Sequence, residues 1–381
     1  MASAKSYLKV SIIIATVCII LFSGLFLAVQ MLNFEAEISS LRHRFEDLED
    51  RMRNMERLFL KSYVVLAPYE WNVNENKTMF SLKSNQTGRN YTGFLSLLEK
   101  AKEMGFKGIA LHDTSLFYDD GLLAQALDDI EGKELDVMLY VYWRDKTITC
   151  SFENGNTPES YWSVDFPLNE TQNSAFAEYL RNVTTIASKF ACVKGYALFY
   201  PFKRTTTYIE ANMKNQNYSN LMQDYVDTLK QHDTKPVYLV SDMIEDLSTN
   251  ALPYDISNID GYGFTFYSKN ANSTDNERLE WYWNFYNNKS INIQDGKVLI
   301  AEWGWNTQGP SNFAYASTEE AKSALIESMV NWASEKRICF AYFCLHDLPQ
   351  YTDSGWDWGL VSDNFRLKQS GEKMKHLLTG D

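Results

Sequence analysis

Positive charge is in short supply in this 381-residue sequence, where 49 Asp and Glu outnumber 36 Lys and Arg and the formal net charge is −13 at pH 7. A nucleic-acid-binding protein needs a basic surface to neutralise phosphates, so this balance argues against a nucleic-acid partner. The sequence also has no Walker loop, no dinucleotide-binding glycine motif and no zinc-ligand pattern. We therefore expect neither a nucleotide cofactor nor a resident metal.

Cysteine is scarce as well. The five residues do not have the spacing of a metal site, and the first of them falls in an apolar segment: Cys18, Cys150, Cys192, Cys339 and Cys344. A chain of this length buries a core large enough to fold without disulfide staples. The sequence leaves open whether one or two disulfides form and which cysteines they would join.

Charge disappears altogether from residues 10–29, a stretch rich in Ile, Leu, Val and Phe. Such a stretch is long enough to cross a bilayer as a helix. A cleaved signal peptide is the alternative, but it has a shorter apolar core and a small-residue cleavage site, which this segment lacks. We predict a transmembrane anchor over residues 10–33, with the lipid bilayer as a partner.

The charges on either side of this segment predict its orientation. Lys5 and Lys9 precede it, whereas Glu35 and Glu37 follow it. Cytoplasmic flanks carry an excess of Lys and Arg. Residues 1–9 are therefore expected in the cytoplasm, and the rest of the chain on the extracellular side of a single-pass membrane protein.

A heptad repeat follows the apolar segment directly. Its apolar positions alternate at steps of four and three over residues 34–60: Phe34, Ile38, Leu41, Phe45, Leu48, Met52, Met55 and Phe59. This spacing makes helices supercoil. The flanking pairs are opposite in charge (Glu37 with Arg42, Arg44 with Glu49, Arg51 with Glu56), which favours a parallel homo-oligomer in register. A lone amphipathic helix is the alternative, and the choice between dimer and trimer stays open.

Acceptor sequences for N-linked glycans occur only after the apolar segment. They are Asn76, Asn85, Asn90, Asn169, Asn182, Asn217, Asn272 and Asn288. Glycosylation of Asn-x-Ser/Thr takes place on secreted or surface-exposed regions. Their distribution agrees with an extracytoplasmic, glycosylated domain at the cell surface.

From residue 61 to residue 381, β-branched or aromatic runs alternate with amphipathic stretches. Eight strands are predicted, over residues 63–67, 108–111, 137–142, 195–200, 237–240, 261–266, 298–301 and 339–345. This alternation is typical of parallel βα units. We predict an α/β fold of the (β/α)8 TIM-barrel class, with an open doubly wound sheet as the alternative.

Polar and aromatic residues collect where these strands end, which is where barrel enzymes carry their chemistry. They are Glu70, Trp71, His112, Trp143, Asp145, Tyr200, Asp242, Tyr267, Glu302, Trp303, Trp305, His346 and Asp347. Asp242 is equally open to a helix-capping role. The histidines at strand ends could ligate a metal, but packing or hydrogen bonding to a substrate is the preferred interpretation.

Among these residues, Glu302 stands out because it ends an apolar run and has Trp303 and Trp305 beside it. Indole faces stack on sugar rings, and a carboxylate stabilises or attacks an oxocarbenium-like centre. The pattern therefore indicates a carbohydrate site. The alternative is a buried Glu with satisfied partners among core tryptophans.

The last three strands resemble those of retaining (β/α)8 glycoside hydrolases of the cellulase, mannanase and β-glucanase superfamily, clan A. The resemblance rests on Phe-Tyr267-Ser after strand six, Ala-Glu302-Trp-Gly at strand seven and Trp358-Gly-Leu-Val before the closing helix. It implies a nucleophilic role for Glu302. The family also has an Asn-Glu pair at the end of strand four, but Tyr200 and Pro201 stand there.

Three functional interpretations follow from this departure. In the first, Asp145 or Asp242 supplies the proton that the family's strand-four Glu would give, and the protein hydrolyses or transfers a β-linked glycan. In the second, the barrel binds an oligosaccharide without cutting it. In the third, it is a glycosylated surface scaffold on a stalk. The substrate-binding residues in the first two are expected among the strand-end positions.

Overall fold

The computed structural model describes residues 34–35, 38–39, 41–45, 62–66, 89–112, 114, 118, 121–141, 170–199, 216–241, 256–268, 270, 272–288, 298–308, 314–347, 357–362 and 365–380. The chain divides into two compact units, Met1–Glu56 and Arg57–Asp381. Each is described by itself.

All eight predicted strands are present and lie side by side in chain order. They are β1 Ser62–Leu66, β2 Gly108–Leu111, β3 Asp136–Val141, β4 Val193–Phe199, β5 Val237–Ser241, β6 Gly261–Phe266, β7 Val298–Trp303 and β8 Cys339–Tyr342. All pairings are parallel, and β8 returns to β1 with Phe340 opposite Ser62, so the sheet closes into a barrel. Closure confirms the barrel prediction and excludes the open sheet.

Helices alternate with these strands. Within the described part of the second unit they are α1 Arg89–Glu103, α2 Leu123–Gly132, α3 Glu170–Ala187, α4 Gln216–His232, α5 Asn276–Asn288, α6 Glu319–Glu335 and α7 Gln369–Thr379. Helix α6 begins after Thr318, whose hydroxyl accepts a hydrogen bond from the Ala321 amide at 3.1 Å. A hydroxyl cap of this kind satisfies one of the free amides of the first turn.

The barrel strands are buried on both faces, because side chains fill the interior and helices cover the outside. Every residue of β7 is buried. Helix α5 packs on β6 through Tyr282, whose ring stacks on Phe264 with centroids 4.6 Å apart. Parallel strands covered on both sides read as continuous apolar runs, which explains why the sequence pattern predicted them well.

The first unit is described only in part. Residues 34–35, 38–39 and 41–45 are helical, as the heptad pattern predicts. The transmembrane anchor predicted over residues 10–33 and the cytoplasmic segment predicted over residues 1–9 lie outside the described residues. Of the helices that are described, none is both long enough and apolar enough to cross a membrane.

Cys192, Cys339 and Cys344 are buried and carry thiols rather than disulfides. Burial raises the pKa of the Cys192 thiol to about 12, and the nearby charge of Glu131 adds to this shift. A thiol with such a pKa stays protonated at neutral pH and is a poor nucleophile. The described cysteines therefore act as small core residues, while Cys18 and Cys150 lie outside the described residues.

Candidate active site at the carboxyl end of the barrel

An irregularity in strand β7 positions Glu302. In the pairing with β6, Ile300 lies opposite Phe264 and Glu302 lies opposite the next residue, Thr265, so that Ala301 is left out of the register. The pairing with β8 shifts over the same stretch. A bulge bends its strand and redirects the side chain that follows it. Here it precedes the carboxylate at the end of the barrel where barrel enzymes carry their active sites.

Each carboxylate oxygen of Glu302 has its own polar neighbour. The Tyr267 hydroxyl donates a hydrogen bond to Oε2 at 3.1 Å. On the other side, Nε2 of His112 lies 3.5 Å from Oε1, a contact that becomes an ion pair when the imidazole is protonated. Glu302 itself is 8% exposed. The structure thus brings together three of the predicted site residues, from β2, β6 and β7.

A tyrosine from the opposite side of the barrel holds the backbone beside Glu302. The Tyr140 hydroxyl donates to the carbonyl of Ala301, the residue that the bulge leaves out of the register. Burial, and then the charge of Glu302, raise the pKa of Tyr140 well above its ordinary value, so that it remains a neutral donor. The sequence analysis missed Tyr140, because a tyrosine inside an apolar strand reads as core.

Three aromatic rings pack against one another beside Glu302 and His112. Trp358 meets Tyr267 edge to face with centroids 5.3 Å apart and Phe343 with centroids 5.9 Å apart. Phe343 also lies 6.2 Å from the ring of His112. Trp358 and Phe343 were not predicted as site residues, although Trp358 lies in the stretch that carried the family resemblance. We refer to Tyr267, Phe343 and Trp358 as the aromatic wall.

Trp303 and Trp305 lie elsewhere. Their exposed fractions are 0% and 1%, and the ring of Trp303 packs against those of Phe340 and Tyr342 with centroids 5.2 and 5.0 Å apart. Successive side chains of a strand point to opposite faces, so Trp303 faces away from the site that Glu302 faces. Both indoles are packed in the core, and their stacking on a sugar stays a prediction.

His346 and Asp347 are also part of the packed structure rather than of an open binding surface. His346 is buried, and burial lowers its pKa to about 3, so the imidazole is neutral at physiological pH. Asp347 forms a salt bridge with Lys368 at 2.7 Å and accepts a hydrogen bond from the Gly359 amide at 2.9 Å. The predicted contact of these two residues with substrate stays a prediction.

Six further residues were predicted for the site from the ends of strands. Glu70, Trp71, Trp143, Asp145, Tyr200 and Asp242 lie outside the described residues. The candidate acid/base residues, Asp145 and Asp242, therefore stay predictions. Across the described residues, no group of three or more His, Cys, Asp and Glu side chains is arranged to hold a metal ion.

Two of the predicted glycosylation sites have described side chains, and they differ in accessibility. Asn182 is half-buried within helix α3, and its amide donates to the Tyr118 hydroxyl at 2.8 Å. Asn272 is exposed, and its side-chain oxygen accepts a hydrogen bond from the Ser317 amide at 2.7 Å. Of these two asparagines, Asn272 is thus the more accessible in the fold, and glycosylation of either stays a prediction. The remaining sequons, or their side chains, lie outside the described residues: Asn76, Asn85, Asn90, Asn169, Asn217 and Asn288.

The sequence matches no protein-family model, and no curated protein resembles it at the level of sequence. Solved structures do resemble its fold. A GH5_18 variant from Streptomyces cattleya in complex with Manβ1-4GlcNAc is 12% identical, with a TM-score of 0.57 over 84% of this chain and 80% of that one. The exo-β-1,4-mannosidase Op5Man5 from Opitutaceae bacterium strain TAV5 is 13% identical, with a TM-score of 0.57 over 84% and 59% of the two chains.

A GH113 β-1,4-mannanase is similar over 85% of this chain and 99% of its own, with a TM-score of 0.52 and 12% identity. At these identities the likeness establishes the fold alone. It agrees with the closed (β/α)8 barrel, the fold that these glycoside hydrolases share with this chain.

Proposed function

We propose that this protein is a retaining glycoside hydrolase, or a transglycosylase, in which Glu302 is the nucleophile. The observation that carries the proposal is the position of Glu302 after a bulge at the carboxyl end of β7, with one oxygen held by Tyr267 and the other beside His112. A buried carboxylate with a separate polar partner for each oxygen is held in one orientation. Such positioning is what an attack on a sugar carbon requires.

In the proposed reaction, a carboxylate oxygen of Glu302 forms a bond to the anomeric carbon while the bond from that carbon to the leaving oxygen breaks. The leaving oxygen takes its proton from an acid, for which Asp145 and Asp242 are the candidates. That residue, now a base, then removes a proton from water or from an acceptor sugar, which displaces Glu302 and restores the free enzyme. The Tyr267 hydroxyl holds one oxygen of Glu302 in place before attack.

The substrate class that we propose is a β-linked mannoside. Support comes from the similar structures, which include an exo-β-1,4-mannosidase, a β-1,4-mannanase and a protein in complex with Manβ1-4GlcNAc. A shared fold hosts many specificities, so this choice rests on analogy and sets the order in which glycosides are tested. Nitrophenyl β-mannoside and Manβ1-4GlcNAc come first, followed by the corresponding β-glucosides.

A second candidate function, glycan binding without hydrolysis, is favoured by one observation. Tyr200 and Pro201 occupy the positions where the family carries its Asn and acid/base Glu. General acid assistance is worth about 10²–10⁴-fold, and most of it is dispensable when the leaving group is a nitrophenolate. An enzyme that lacks the acid should therefore cleave the nitrophenyl glycoside but not the disaccharide. A binding protein should cleave neither and still retain the oligosaccharide on an affinity column.

Tyr267→Phe provides a direct test of the carboxylate geometry. The variant loses the hydrogen bond to Glu302, and a hydrogen bond to a charged group is worth about 1.5–3 kcal/mol. We expect kcat for the nitrophenyl glycoside to fall about 10- to 100-fold. Tyr225→Phe is the matched control, because its hydroxyl donates to Asn173 on helix α3 at 2.9 Å, outside the site. Equal rates for wild type and Tyr267→Phe would contradict the role of this hydroxyl.

We further propose that the protein is a single-pass membrane protein whose stalk, residues 34–60, joins parallel copies. Phe34, Ile38, Leu41 and Phe45 support this proposal, because their exposed fractions are 64%, 50%, 64% and 63%. Exposed apolar residues at heptad spacing are costly in water and favour a partner helix. The opposite charges of the flanking positions favour a second copy in register. The barrel would then lie on the extracellular side, with the N-terminus in the cytoplasm.

Replacing Ile38 and Leu41 together by Lys is expected to convert the oligomer to a monomer, because charges at the a and d positions cannot be buried between helices. Sedimentation of the full-length chain in detergent measures the mass of the protein component. The control places the same two charges at Ser39 and His43, on the opposite face of the heptad. A monomeric wild type, or equal masses for both variants, would rule out the stalk as the oligomerisation element.

A further inference from the structure

A fully buried lysine contacts the backbone of the aromatic wall and takes no part in the bond-forming and proton-transfer steps described above. The Lys322 side chain on helix α6 is 0% exposed. Its ammonium donates to three consecutive carbonyls, those of Asp357, Trp358 and Gly359, at 3.2, 3.1 and 3.0 Å. An ammonium group has three protons to donate. All of them are directed to one short segment of backbone, which we call the clamped segment, residues 357–359.

Nearby carboxylates stabilise the buried ammonium group of Lys322. Burial lowers the pKa of Lys322, and the charge of Lys368 adds to this effect, whereas Glu319, Asp357 and Asp347 oppose it. Glu319 Oε1 lies 3.6 Å from the Lys322 nitrogen. Burial deprives an ammonium of its hydration, so a buried ammonium persists only where acceptors and opposite charges surround it. Removing the lysine would leave the three carbonyls without this donor.

Asp357 ties the clamped segment to the loop that follows β7. Its carboxylate accepts hydrogen bonds from the amides of Thr307 at 2.6 Å and Gln308 at 3.0 Å, and from the Thr307 hydroxyl at 2.5 Å. Burial would raise the pKa of Asp357, but the Thr307 hydrogen bonds together with Lys322 and Lys368 lower it below its ordinary value. The carboxylate is therefore ionised, and it links the two loops that follow β7 and β8.

The clamped segment is also pressed against the end of β8. A Cβ atom at Gly359 would lie 2.4 Å from the Asp347 nitrogen and 2.5 Å from the carbonyl carbon of His346. The amides of Leu360 and Val361 both donate to the Leu345 carbonyl at 2.9 Å. Only glycine permits so close an approach of two backbones. The segment is thus held by Lys322 on one side and by the β8 loop on the other.

Trp358 is the residue of the clamped segment that contacts the other rings of the aromatic wall. Its indole meets the ring of Tyr267 edge to face at 5.3 Å, and the hydroxyl of Tyr267 donates to Glu302 at 3.1 Å. A continuous series of contacts therefore runs from Lys322 through the backbone of residue 358 and the aromatic wall to the carboxylate. No contact of Lys322 with a bound sugar is required.

We propose that Lys322 is a positioning residue for the Glu302 site: by fixing the backbone of the clamped segment, it holds Trp358 against Tyr267 and keeps the Tyr267 hydroxyl on the carboxylate. This inference rests on the proposed function, because it assigns Lys322 an effect on the same carboxylate. It adds a residue that neither the strand-end pattern nor the family resemblance indicates. Lys322 acts through Tyr267, so its effect should appear in kcat more than in KM.

The test uses Lys322→Met in the full-length protein, a change that keeps an unbranched apolar side chain, one heavy atom shorter, and removes the three donors. We expect kcat for the nitrophenyl glycoside to fall about 10- to 100-fold, the range in which small misplacements of a reacting group fall. Lys336→Met is the control, because Lys336 near the end of α6 pairs with Glu280 at 3.0 Å, away from the site. Lys322→Arg should recover part of the loss.

A double-variant cycle separates positioning from general destabilisation. If Lys322 acts through Tyr267, then Lys322→Met combined with Tyr267→Phe should lower kcat hardly further than Tyr267→Phe alone. Multiplicative losses would overturn the proposal. Should Lys322→Met fail to fold, Trp358→Phe takes its place in the same cycle, because the smaller ring reduces the aromatic contact with Tyr267 without removing a buried charge. Independence of Trp358→Phe from Tyr267→Phe would also overturn it.

Hydrogen exchange distinguishes failure of this inference from failure of the proposed function. A wild type that neither cleaves nor binds any glycoside would refute the function. In that case, faster amide exchange in Lys322→Met at both residues 357–362 and residues 264–268 would still support the positioning role. Unchanged exchange at residues 264–268 would overturn it, whatever the activity of the wild type.

Discussion

Glu302→Gln is expected to lower kcat for the nitrophenyl glycoside by at least about 10³-fold, the scale of losses seen when a nucleophile is removed. The amide has the size of the carboxylate but is a far weaker nucleophile, so the bond to the anomeric carbon cannot form. Tyr267 can still donate to the amide oxygen. Binding of the oligosaccharide should therefore be retained, and Kd should change by less than about tenfold.

Steady-state kinetics and isothermal titration with Manβ1-4GlcNAc measure the two quantities separately. Glu335→Gln is the matched control, because its carboxylate is 75% exposed at the end of helix α6. If Glu302→Gln retained the wild-type rate, Glu302 would have no nucleophilic role. If the variant lost binding and stability together, Glu302 would be a structural residue, which is the alternative that the sequence left open.

Gly304→Ala is expected to lower the free energy of unfolding by about 3 kcal/mol, at the upper end of the usual cost of overpacking. A Cβ atom at this position would lie 2.2 Å from the Phe343 carbonyl oxygen, and the backbone there is held by the Phe343 amide, which donates to the Trp303 carbonyl at 2.8 Å. Backbone atoms cannot move aside as the end of a flexible side chain can. The ends of β7 and β8 would have to separate.

Urea denaturation followed by circular dichroism measures this loss. Gly132→Ala is the control, because a Cβ atom there meets nothing within 4 Å at the last residue of helix α2. That variant should be unchanged or more stable by up to about 1 kcal/mol, the helix preference for Ala over Gly. Since Glu302 is on β7 and Phe343 directly follows β8, the two strands whose ends would separate, any Gly304→Ala protein that folds should also have a lower kcat. Equal free energies of unfolding for the two variants would contradict this prediction, because they would mean that the ends of β7 and β8 separate at no measurable cost.

The barrel was predictable from local signals because a parallel strand covered on both faces is a short apolar run between polar segments. Residues 261–266 were predicted as a strand and form β6 over the same residues. Gly105 follows α1 with φ +83, a left-handed conformation that glycine favours at the end of a helix. Repetition of these signals eight times favoured closure over an open sheet, because eight βα units are the number that forms a TIM barrel.

The site was predicted only in part, because neighbouring residues of a strand face opposite sides. Glu302 and Trp303 are adjacent in sequence, yet one faces the barrel mouth and the other packs against Phe340 and Tyr342. A bulge at Ala301 determines which of the two side chains faces the site, and the sequence of β7 contains no pattern that predicts this bulge. Tyr140 was missed for another reason: it looks like a core residue within β3, and its hydrogen-bond partner is a carbonyl on the distant strand β7.

The sequence by itself determined the order of strands and helices, the carboxyl-end position of Glu302 and the apolar periodicity of residues 34–60. These properties depend on the residues within one element or its immediate flanks. Only the tertiary structure decided which side chains surround Glu302, and that Lys322 directs a buried charge to the backbone behind Trp358. Such contacts join residues far apart in the chain, and their energies depend on burial, register and distance, which exist only once the barrel has closed.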